Sequence, residues 1–284
     1  MKNKKRKVEV LVLSDIHLGT YGCHAKELLK YLKSINPKTV ILNGDIIDIW
    51  QFSKRYWPKS HMKVVKYLIG WLSEKKEVYY IPGNHDELFR KFVDFKLASF
   101  SIKNKVILEL DGKKAWFFHG DVFDITMKHS KWLAKLGAVG YDTLILINRL
   151  VNIISQFFGK GKISLSKKIK DSVKSAVSFI DNFEETVVNI AVENKYDFVA
   201  CGHIHQPVIK SVKTKNSKVV YMNSGDWIEN LTALEYHHKS WHLYQYTEAD
   251  YQKDELNENL ESLDLVDKSS KEIFGQLIAD FNFK

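Results

Sequence analysis

Cysteine is scarce in this sequence, with only Cys23 and Cys201 among 284 residues. Two cysteines are too few for the disulfide framework that holds many small secreted proteins together. The scarcity favours a reducing compartment, so we predict a cytoplasmic location. Cys201 ends an apolar run, which favours a packing role for its thiol.

Long apolar stretches are missing as well. No uninterrupted apolar run approaches the roughly 20 residues that span a bilayer. The basic segment 1–7 resembles the start of a signal peptide, but the apolar segment after it is short and contains Glu9. It leads directly into Asp15 and His17 without a small-residue cleavage site. We therefore predict neither a transmembrane helix nor a signal peptide.

Acidic residues are outnumbered by basic ones, 34 against 43, which gives a formal net charge of +9 and a pI near 9.2. This balance favours an anionic partner, whether a phosphorylated substrate, a nucleic acid or an acidic membrane surface. Charge alone does not choose among them. The hydrophobic content of 45% is ample for a sizeable core.

Five apolar runs each lead into a tight turn that carries carboxylate, amide or imidazole side chains. Runs of this length, rich in Val, Ile and aromatic residues and bounded by Gly or Pro, are typical of buried strands. Ligands of α/β sheets gather at the carboxyl ends of strands, so we expect these side chains to meet. The runs and their polar followers are 8–13 with Asp15 and His17, 40–42 with Asp45 and Asp48, 78–81 with Asn84, His85 and Asp86, 115–118 with His119 and Asp121, and 198–201 with His203 and His205.

The order of elements indicates the fold class. Apolar residues at helical spacing in segments 24–35 and 62–73 separate the first three strands, and this β-α-β-α-β order predicts an α/β fold with a largely parallel inner sheet. An Asp111-Gly112 turn predicts a hairpin. Three later segments are predicted as short antiparallel strands that close a second sheet: 218–222, 232–236 and 241–246.

Residues 124–180 interrupt this pattern with amphipathic helical sequence, in which ten basic residues against three acidic ones give +7. The segment is either a helical pair that packs on the sheet or a cap whose apolar face accepts acyl chains or rests on a bilayer. Residues from 247 onward are acidic. We therefore predict a domain over 1–246 with a helical cap insertion at 124–180, and an acidic C-terminal tail at 247–284.

The joint order of the motifs is more specific than any one of them. Asp-x-His, Gly-Asp-x-x-Asp, Gly-Asn-His-Asp, His-Gly-Asp and Gly-His-x-His, each after a strand, resemble the calcineurin-like metallophosphoesterases over residues 8–246. The resemblance implies a four-layer α/β/β/α sandwich and a metal-dependent hydrolase of phosphoric esters or pyrophosphates. A metal-free scaffold would require lost ligands, and here every ligand position is filled.

The resemblance also implies a centre with two divalent metal ions, Mn in the first place and Zn or Fe as alternatives. His85 would face the phosphate and stabilise or protonate the leaving group, with Asp86 orienting its ring. Asp48 and Asp121 would support the ligands or only brace the loops. Carried over motif by motif, Asp15, His17 and His205 would hold one ion, Asn84, His119 and His203 the other, and Asp45 would bridge them.

Three details resemble the UDP-2,3-diacylglucosamine diphosphatase branch of the family: the Asp-x-His-Leu-Gly opening, the large helical insertion, and the Gly-Asp-Trp-x-x-x-x-Thr close. That branch implies hydrolysis of a lipid-linked nucleotide to UMP and diacylglucosamine 1-phosphate in lipid A synthesis. It also implies peripheral contact with the cytoplasmic face of the inner membrane through the basic cap. The sequence departs from the branch at His85 and Gln206, where its best-known members carry Arg.

Two alternatives follow. The departures at His85 and Gln206 leave open a related phosphodiesterase or phosphatase that acts on another lipid-linked or nucleotide substrate. The aromatic and basic segment 50–58 also suggests a nucleic-acid phosphoesterase, since stacking rings and cations grip single strands. This second alternative is disfavoured, because much of the excess positive charge lies in a segment that is strongly apolar and better suited to lipid.

Overall fold

The computed structural model describes residues 5–51, 56–123, 180–214 and 218–251. The chain divides into two compact units, Met1–Gln245 and Tyr246–Lys284. The predicted cap lies outside the described residues except for its last position, and so does the predicted tail beyond residue 251. The predicted domain boundaries therefore stay predictions. Within the described ranges, no helix is both long enough and apolar enough to cross a membrane.

The first sheet forms around the predicted β-α-β-α-β segment. Its three central strands pair in parallel, so their carboxyl ends meet at one edge. One amphipathic helix follows the first strand and another follows the second, as expected for the crossover connections between parallel strands. The elements are β1 (Arg6–Leu13), α1 (Ala25–Ser34), β2 (Ile35–Asn43), α2 (Lys59–Ser73) and β3 (Glu77–Ile81).

The sheet extends beyond β3 with two short strands that the sequence analysis did not predict, β4 (Lys96–Leu97) and β5 (Phe100–Ile102). β5 pairs in parallel with β3, and β4 forms the edge of the sheet. Both strands are shorter than the four to eight residues that make a recognisable periodic signal.

The second sheet has the order β6-β7-β8-β10-β9. The predicted hairpin is present, and its turn residues Asp111 and Gly112 have φ of 51° and 76°, the left-handed geometry that a tight hairpin turn requires. The strand β9, which follows the Gly-His-x-His motif, was not predicted. The strands are β6 (Val106–Leu110), β7 (Lys113–Phe117), β8 (Phe198–Cys201), β9 (Val208–Lys213) and β10 (Lys218–Asn223).

The prediction that the last three strands close a second antiparallel sheet was wrong in part. β11 (Thr232–His237) and β12 (Ser240–Gln245) belong to the first sheet, where β11 pairs antiparallel with β1. β10 does lie in the second sheet, where it pairs antiparallel with β9, as predicted, and in parallel with β8. The periodicity of a short strand identifies its buried faces but not its neighbour, which non-local pairing decides.

The two sheets pack face to face around one apolar core. Val12 and Ile41 of the first sheet meet Phe117 and Met222 of the second. Leu234 and Tyr236 of β11 also face this core, so the intervening residue 235 points to the opposite face of the first sheet.

The outer faces of both sheets are covered by helices. Glu235 receives a hydrogen bond from Tyr31 of α1, which places α1 on the outer face of the first sheet. On the second sheet, helix α3 (residues 180–193) packs Phe183 and Val187 against Val199 and its neighbours. The arrangement is the predicted α/β/β/α sandwich. Hydrogen bonds also join the strand ends of the two sheets. In one of them, the side-chain amide of Asn43 donates to the carbonyl of Phe118 over 2.9 Å.

Candidate metal centre

The loops at the joined strand ends have an unusual backbone. Asp15, His17, Asp45, His203 and His205 all lie in the left-handed region, with φ between 51° and 65°. Residues other than glycine rarely adopt this conformation, and each instance costs on the order of 1 kcal/mol or more. Such strain persists where the surrounding structure fixes it, and here it turns five predicted ligands toward a common point.

The first predicted ligand set comes together as one cluster. Asp15, His17 and His205 each present a ligand atom within 4.8 Å of the other two. His205 Nε2 lies 3.0 Å from Asp15 Oδ1, and His17 Nε2 lies 4.0 Å from the same oxygen. The loops are held in place by backbone bonds, among them the amide of His17 to the carbonyl of Asp45 over 2.9 Å.

A second cluster contains Asp45, His119 and His203, again with ligand atoms within 4.8 Å of one another. His119 Nε2 lies 3.3 Å from Asp45 Oδ2. Asn84 belongs to the adjoining loop, whose next amide, that of His85, donates to Asp45 Oδ1 over 2.8 Å. His119, His203 and the loop of Asn84 therefore lie around one carboxylate.

Asp45 belongs to the second cluster and also faces the first. Its Oδ2 atom lies 4.0 Å from His17 Nε2 of the first cluster and 3.3 Å from His119 Nε2 of the second. The carboxylate is almost fully buried, which leaves it no solvent partner. Asp45 thus lies between the imidazoles of the two clusters, as the predicted role of a ligand to both ions requires of it.

Several predicted ligand atoms are buried but form no hydrogen bond, although buried polar atoms are normally satisfied. The opposite nitrogen of two of the imidazoles is anchored: His119 Nδ1 lies 2.8 Å from the carbonyl of Asn43, and His17 Nδ1 lies 3.4 Å from Asp48 Oδ2. Metal-binding histidines show this arrangement, with one nitrogen held and the other free for the ion. The residues thus fit a pair of divalent cations. The atoms without a hydrogen bond are Asp15 Oδ1, His17 Nε2, Asn84 Oδ1 and His119 Nε2.

Opposite charges perturb the titration of the cluster. Burial alone would raise the pKa of Asp45, but His119 and His17 hold it well below the ordinary value. Burial alone would lower the pKa of His119, but Asp45 and Asp15 raise it to about 10. The pKa of His205 is likewise well above its usual value, since Asp15 and Asp226 outweigh burial. These imidazoles hold a proton at neutral pH unless a cation displaces it, so cation binding releases protons and strengthens as the pH rises.

The prediction that Asp86 orients the ring of His85 was wrong. His85 Nδ1 lies 2.9 Å from Asp48 Oδ2, and Asp48 also accepts from the amide of Gln51 over 2.9 Å. Burial would raise the pKa of Asp48, but the two imidazoles it faces, His17 and His85, lower it, so the carboxylate is ionised.

Asp86 instead points beneath its own loop. It accepts from the amides of Gly83 over 2.6 Å and Ile46 over 2.9 Å, and from the hydroxyl of Tyr80. Because Asp86 directly follows His85, its side chain leaves the backbone on the opposite side from the His85 ring. Asp86 therefore braces the loop, and Asp48 from the neighbouring strand end holds the ring.

We expect Asp48→Asn to lower kcat by roughly 10- to 100-fold and to shift the basic limb of the pH profile, because the ring of His85 loses its anionic partner. Asp86→Asn removes one acceptor from buried backbone amides, so it should lower the unfolding free energy by about 1–3 kcal/mol and leave the shape of the pH profile unchanged. Steady-state kinetics across pH give the profile of each variant, and thermal unfolding gives its loss of stability. An altered profile in Asp86→Asn with a normal one in Asp48→Asn would restore the sequence-based assignment.

Some residues near the centre were not predicted as ligands or catalytic groups. Trp50 packs its indole on His85 with ring centroids 4.3 Å apart, although 60% of its surface is exposed. His61 accepts the amide of Gly19 over 3.0 Å, and burial lowers its pKa to about 4, so it is a neutral acceptor. Asp226 faces His205 Nδ1 at 3.5 Å. Trp50 and Asp226 carried signals in the sequence, the aromatic and basic segment 50–58 and the Gly-Asp pair after strand β10, whereas His61 carried none.

The centre does not use every predicted candidate. Cys201 is fully buried with its thiol 3.4 Å from the hydroxyl of Tyr221, and burial raises its pKa to about 12, which fits the packing role. Asp121 lies two residues after His119 and pairs with Arg90 over 2.6 Å. It braces two loops and is absent from the clusters of candidate ligands in the described residues.

Several known proteins are similar to this chain. The family model described as calcineurin-like phosphoesterase matches residues 8–207. A UDP-2,3-diacylglucosamine hydrolase of Blochmanniella pennsylvanica is 23% identical over 82% of this chain and 94% of its own length. One of Aliivibrio fischeri is 23% identical over 83% of this chain and 98% of its own. Among solved structures, the phosphoesterase Yfce of E. coli matches with a TM-score of 0.40 at 12% identity, over 84% of this chain and 99% of that one.

The family model spans well over half of the chain and includes every loop that carries a predicted ligand. Its members are metal-dependent hydrolases of phosphoric esters, a chemistry for which the two clusters around Asp45 provide the ligands. The chain belongs to the calcineurin-like phosphoesterase family.

Proposed function

We propose that this enzyme hydrolyses the pyrophosphate of UDP-2,3-diacylglucosamine to UMP and diacylglucosamine 1-phosphate, a step of lipid A synthesis. The observation that carries the proposal is the name shared by its relatives. The matched proteins of Blochmanniella, Aliivibrio and Vibrio cholerae are all UDP-2,3-diacylglucosamine hydrolases, and the matches cover about four fifths of this chain.

The residues of the centre have separable tasks in this reaction. Asp15, His17 and His205 would hold one divalent cation, Asn84, His119 and His203 the second, and Asp45 both; manganese is our first choice. When bound, the cations supply Lewis-acid polarisation of the phosphate and activation of water. The buried carboxylates hold the anchored imidazoles in the geometry that binding requires.

His85 is suited to act on the leaving group. Burial would lower its pKa, but the hydrogen bond to Asp48 and the charge of Asp45 raise it above the usual value. The raised pKa favours the protonated form of the ring, and Asp48 occupies Nδ1, which leaves Nε2 as the donor atom. A positioned acid of this kind typically contributes 10²- to about 10⁴-fold in rate.

We also propose peripheral contact with the cytoplasmic face of the inner membrane. The support is the net charge of +9 and the +7 carried by the apolar segment 124–180. Basic and apolar residues together favour an anionic lipid surface over a soluble polyanion. The same segment would serve a substrate with two acyl chains.

A related activity on another lipid-linked or nucleotide phosphoester is the second candidate. The specific observation that favours it is His85 with its partner Asp48, where the best-known diphosphatases have an arginine. An arginine clamps phosphate with a fixed charge, whereas an imidazole also transfers a proton.

The test is Mn-dependent turnover of UDP-2,3-diacylglucosamine in detergent, carried out in ¹⁸O-labelled water with products identified by mass. We expect UMP that carries the label, with no turnover by a matched preparation of Asp45→Ala. If a simple phosphodiester is cleaved but the lipid nucleotide is not, the substrate proposal is wrong and the second candidate stands.

A further inference from the structure

Arg90 connects two of the loops that carry predicted ligands. It lies in the short 3-10 helix Glu87–Phe92, directly after the Gly-Asn-His-Asp loop. Its Nη2 atom donates to the carbonyl of Pro82 over 3.0 Å and to Asp121 Oδ2 over 2.6 Å. One guanidinium nitrogen thus bonds both to the loop before Asn84 and to the loop after His119.

These loops approach each other with no spare room. A Cβ atom at Gly83 would lie 2.7 Å from His119 Nε2, closer than real Cβ atoms come to any neighbour. Gly83 bonds within its own loop to Asp86, which also accepts from the amide of Ile46. His119 bonds to the carbonyl of Asn43 and accepts from the amide of Gly202. Arg90 therefore adds a direct link between the loops themselves.

The link matters most for the second predicted ion. Asn84 and His119 are two of its ligands, and the Oδ1 atom of Asn84 is buried without a hydrogen bond. A neutral amide oxygen binds a cation weakly compared with a carboxylate, so its contribution depends on accurate placement. The side chains of Arg90 and Asp121 are only 30% and 15% exposed, which makes their pair more persistent than one on an open surface.

We propose that Arg90 is a positioning residue for the second metal ion: by bonding to both Pro82 and Asp121, it fixes the separation of Asn84 from His119 and so sets the affinity of that ion. The inference rests on the two-metal centre of the proposed function but not on which phosphoester is the substrate. In this role neither Arg90 nor Asp121 touches the substrate.

Electrostatics alone predicts the opposite effect of removing Arg90. A guanidinium near a cation site repels the cation, and its loss would also leave Asp121 as an unpaired negative charge. By Coulomb's law the second ion should then bind more tightly. A weaker second ion after removal of Arg90 can therefore be attributed to lost geometry.

The experiment is a Mn²⁺ titration of the full chain, by calorimetry, that resolves the affinities of two ions. In Arg90→Met, which keeps the length of the side chain, we expect the second ion to weaken by roughly 10- to 100-fold and the first to stay within about twofold. Arg90→Lys should restore part of the loss, and Asp121→Asn should reproduce it without adding to it in the double variant.

The matched control is Lys103→Met. It breaks the exposed 2.8 Å ion pair of Lys103 with Asp94, which lies in the same segment between β3 and β6 as Arg90. It should leave both affinities unchanged. Unaltered or tighter second-ion binding in Arg90→Met and Asp121→Asn, or an equal loss of both ions, overturns the positioning role. If the wild-type chain binds fewer than two ions, the two-metal centre fails and the positioning role fails with it.

Discussion

Asp45→Ala is expected to reduce Mn-stimulated hydrolysis of a soluble phosphodiester by roughly 10³-fold or more, because one change removes the predicted ligand that faces both His17 and His119. His119→Ala should have an effect of similar size. It removes the imidazole that faces Asp45 at 3.3 Å and leaves the carbonyl of Asn43 without its partner. The measurement is kcat/KM at saturating Mn²⁺.

Folding must be shown to survive both changes, so circular dichroism and thermal unfolding accompany the kinetics. The matched control is Asp94→Ala, a carboxylate that is exposed and pairs only with Lys103 among the ion pairs of the described region. Its activity should equal that of the wild type. Substantial Mn-stimulated hydrolysis by purified Asp45→Ala or His119→Ala would contradict the assignment of the centre.

Gly83→Ala is expected to cost activity by about 100-fold or more, although it adds only one methyl group. The new Cβ would lie 2.2 Å from Asp45 Oδ1 and 2.7 Å from His119 Nε2, so both ligands or the loop must move. Both neighbours are anchored by short bonds in a close-packed interior, which leaves them little freedom to yield. Kinetics and Mn²⁺ titration of the variant measure the displacement as lost turnover and weaker metal binding.

Gly70→Ala provides the control, since no atom lies within 4 Å of the Cβ it would add. Gly70 is in α2, where alanine stabilises a helix by about 1 kcal/mol relative to glycine. This variant should keep full activity and unfold at a slightly higher temperature. Gly83→Ala with the kcat/KM of the wild type would show that the close approach of the loops is not needed for function.

The strand ends that carry ligands were predictable because their signals are local. A run such as 8–13 is apolar, β-branched and bounded by a polar turn, and the structure has β1 at Arg6–Leu13. The parallel order of β1, β2 and β3 followed from the helices between them. The Asp111-Gly112 turn likewise specified its hairpin through the backbone preferences of two residues.

Other features were out of reach of local signals. The two residues of β4 and the three of β5 are too short to show a period, and their pairing with β3 is what makes them strands. β11 was assigned to the wrong sheet because its apolar pattern is satisfied in either sheet. Its antiparallel register with β1, Leu11 opposite Glu235, is a contact across most of the chain.

The sequence by itself determined the family, the α/β class and the set of loops that carry the candidate ligands, because residue types suited to metal binding and the signals that end a strand lie next to each other in the sequence. Only the tertiary structure decided that Asp48 and not Asp86 holds His85, and that Arg90 joins the loops of Asn84 and His119. The direction of a side chain at a turn depends on backbone angles and on residues 30 to 40 positions away. Adjacency in sequence does not encode such contacts, and packing of the two sheets creates them.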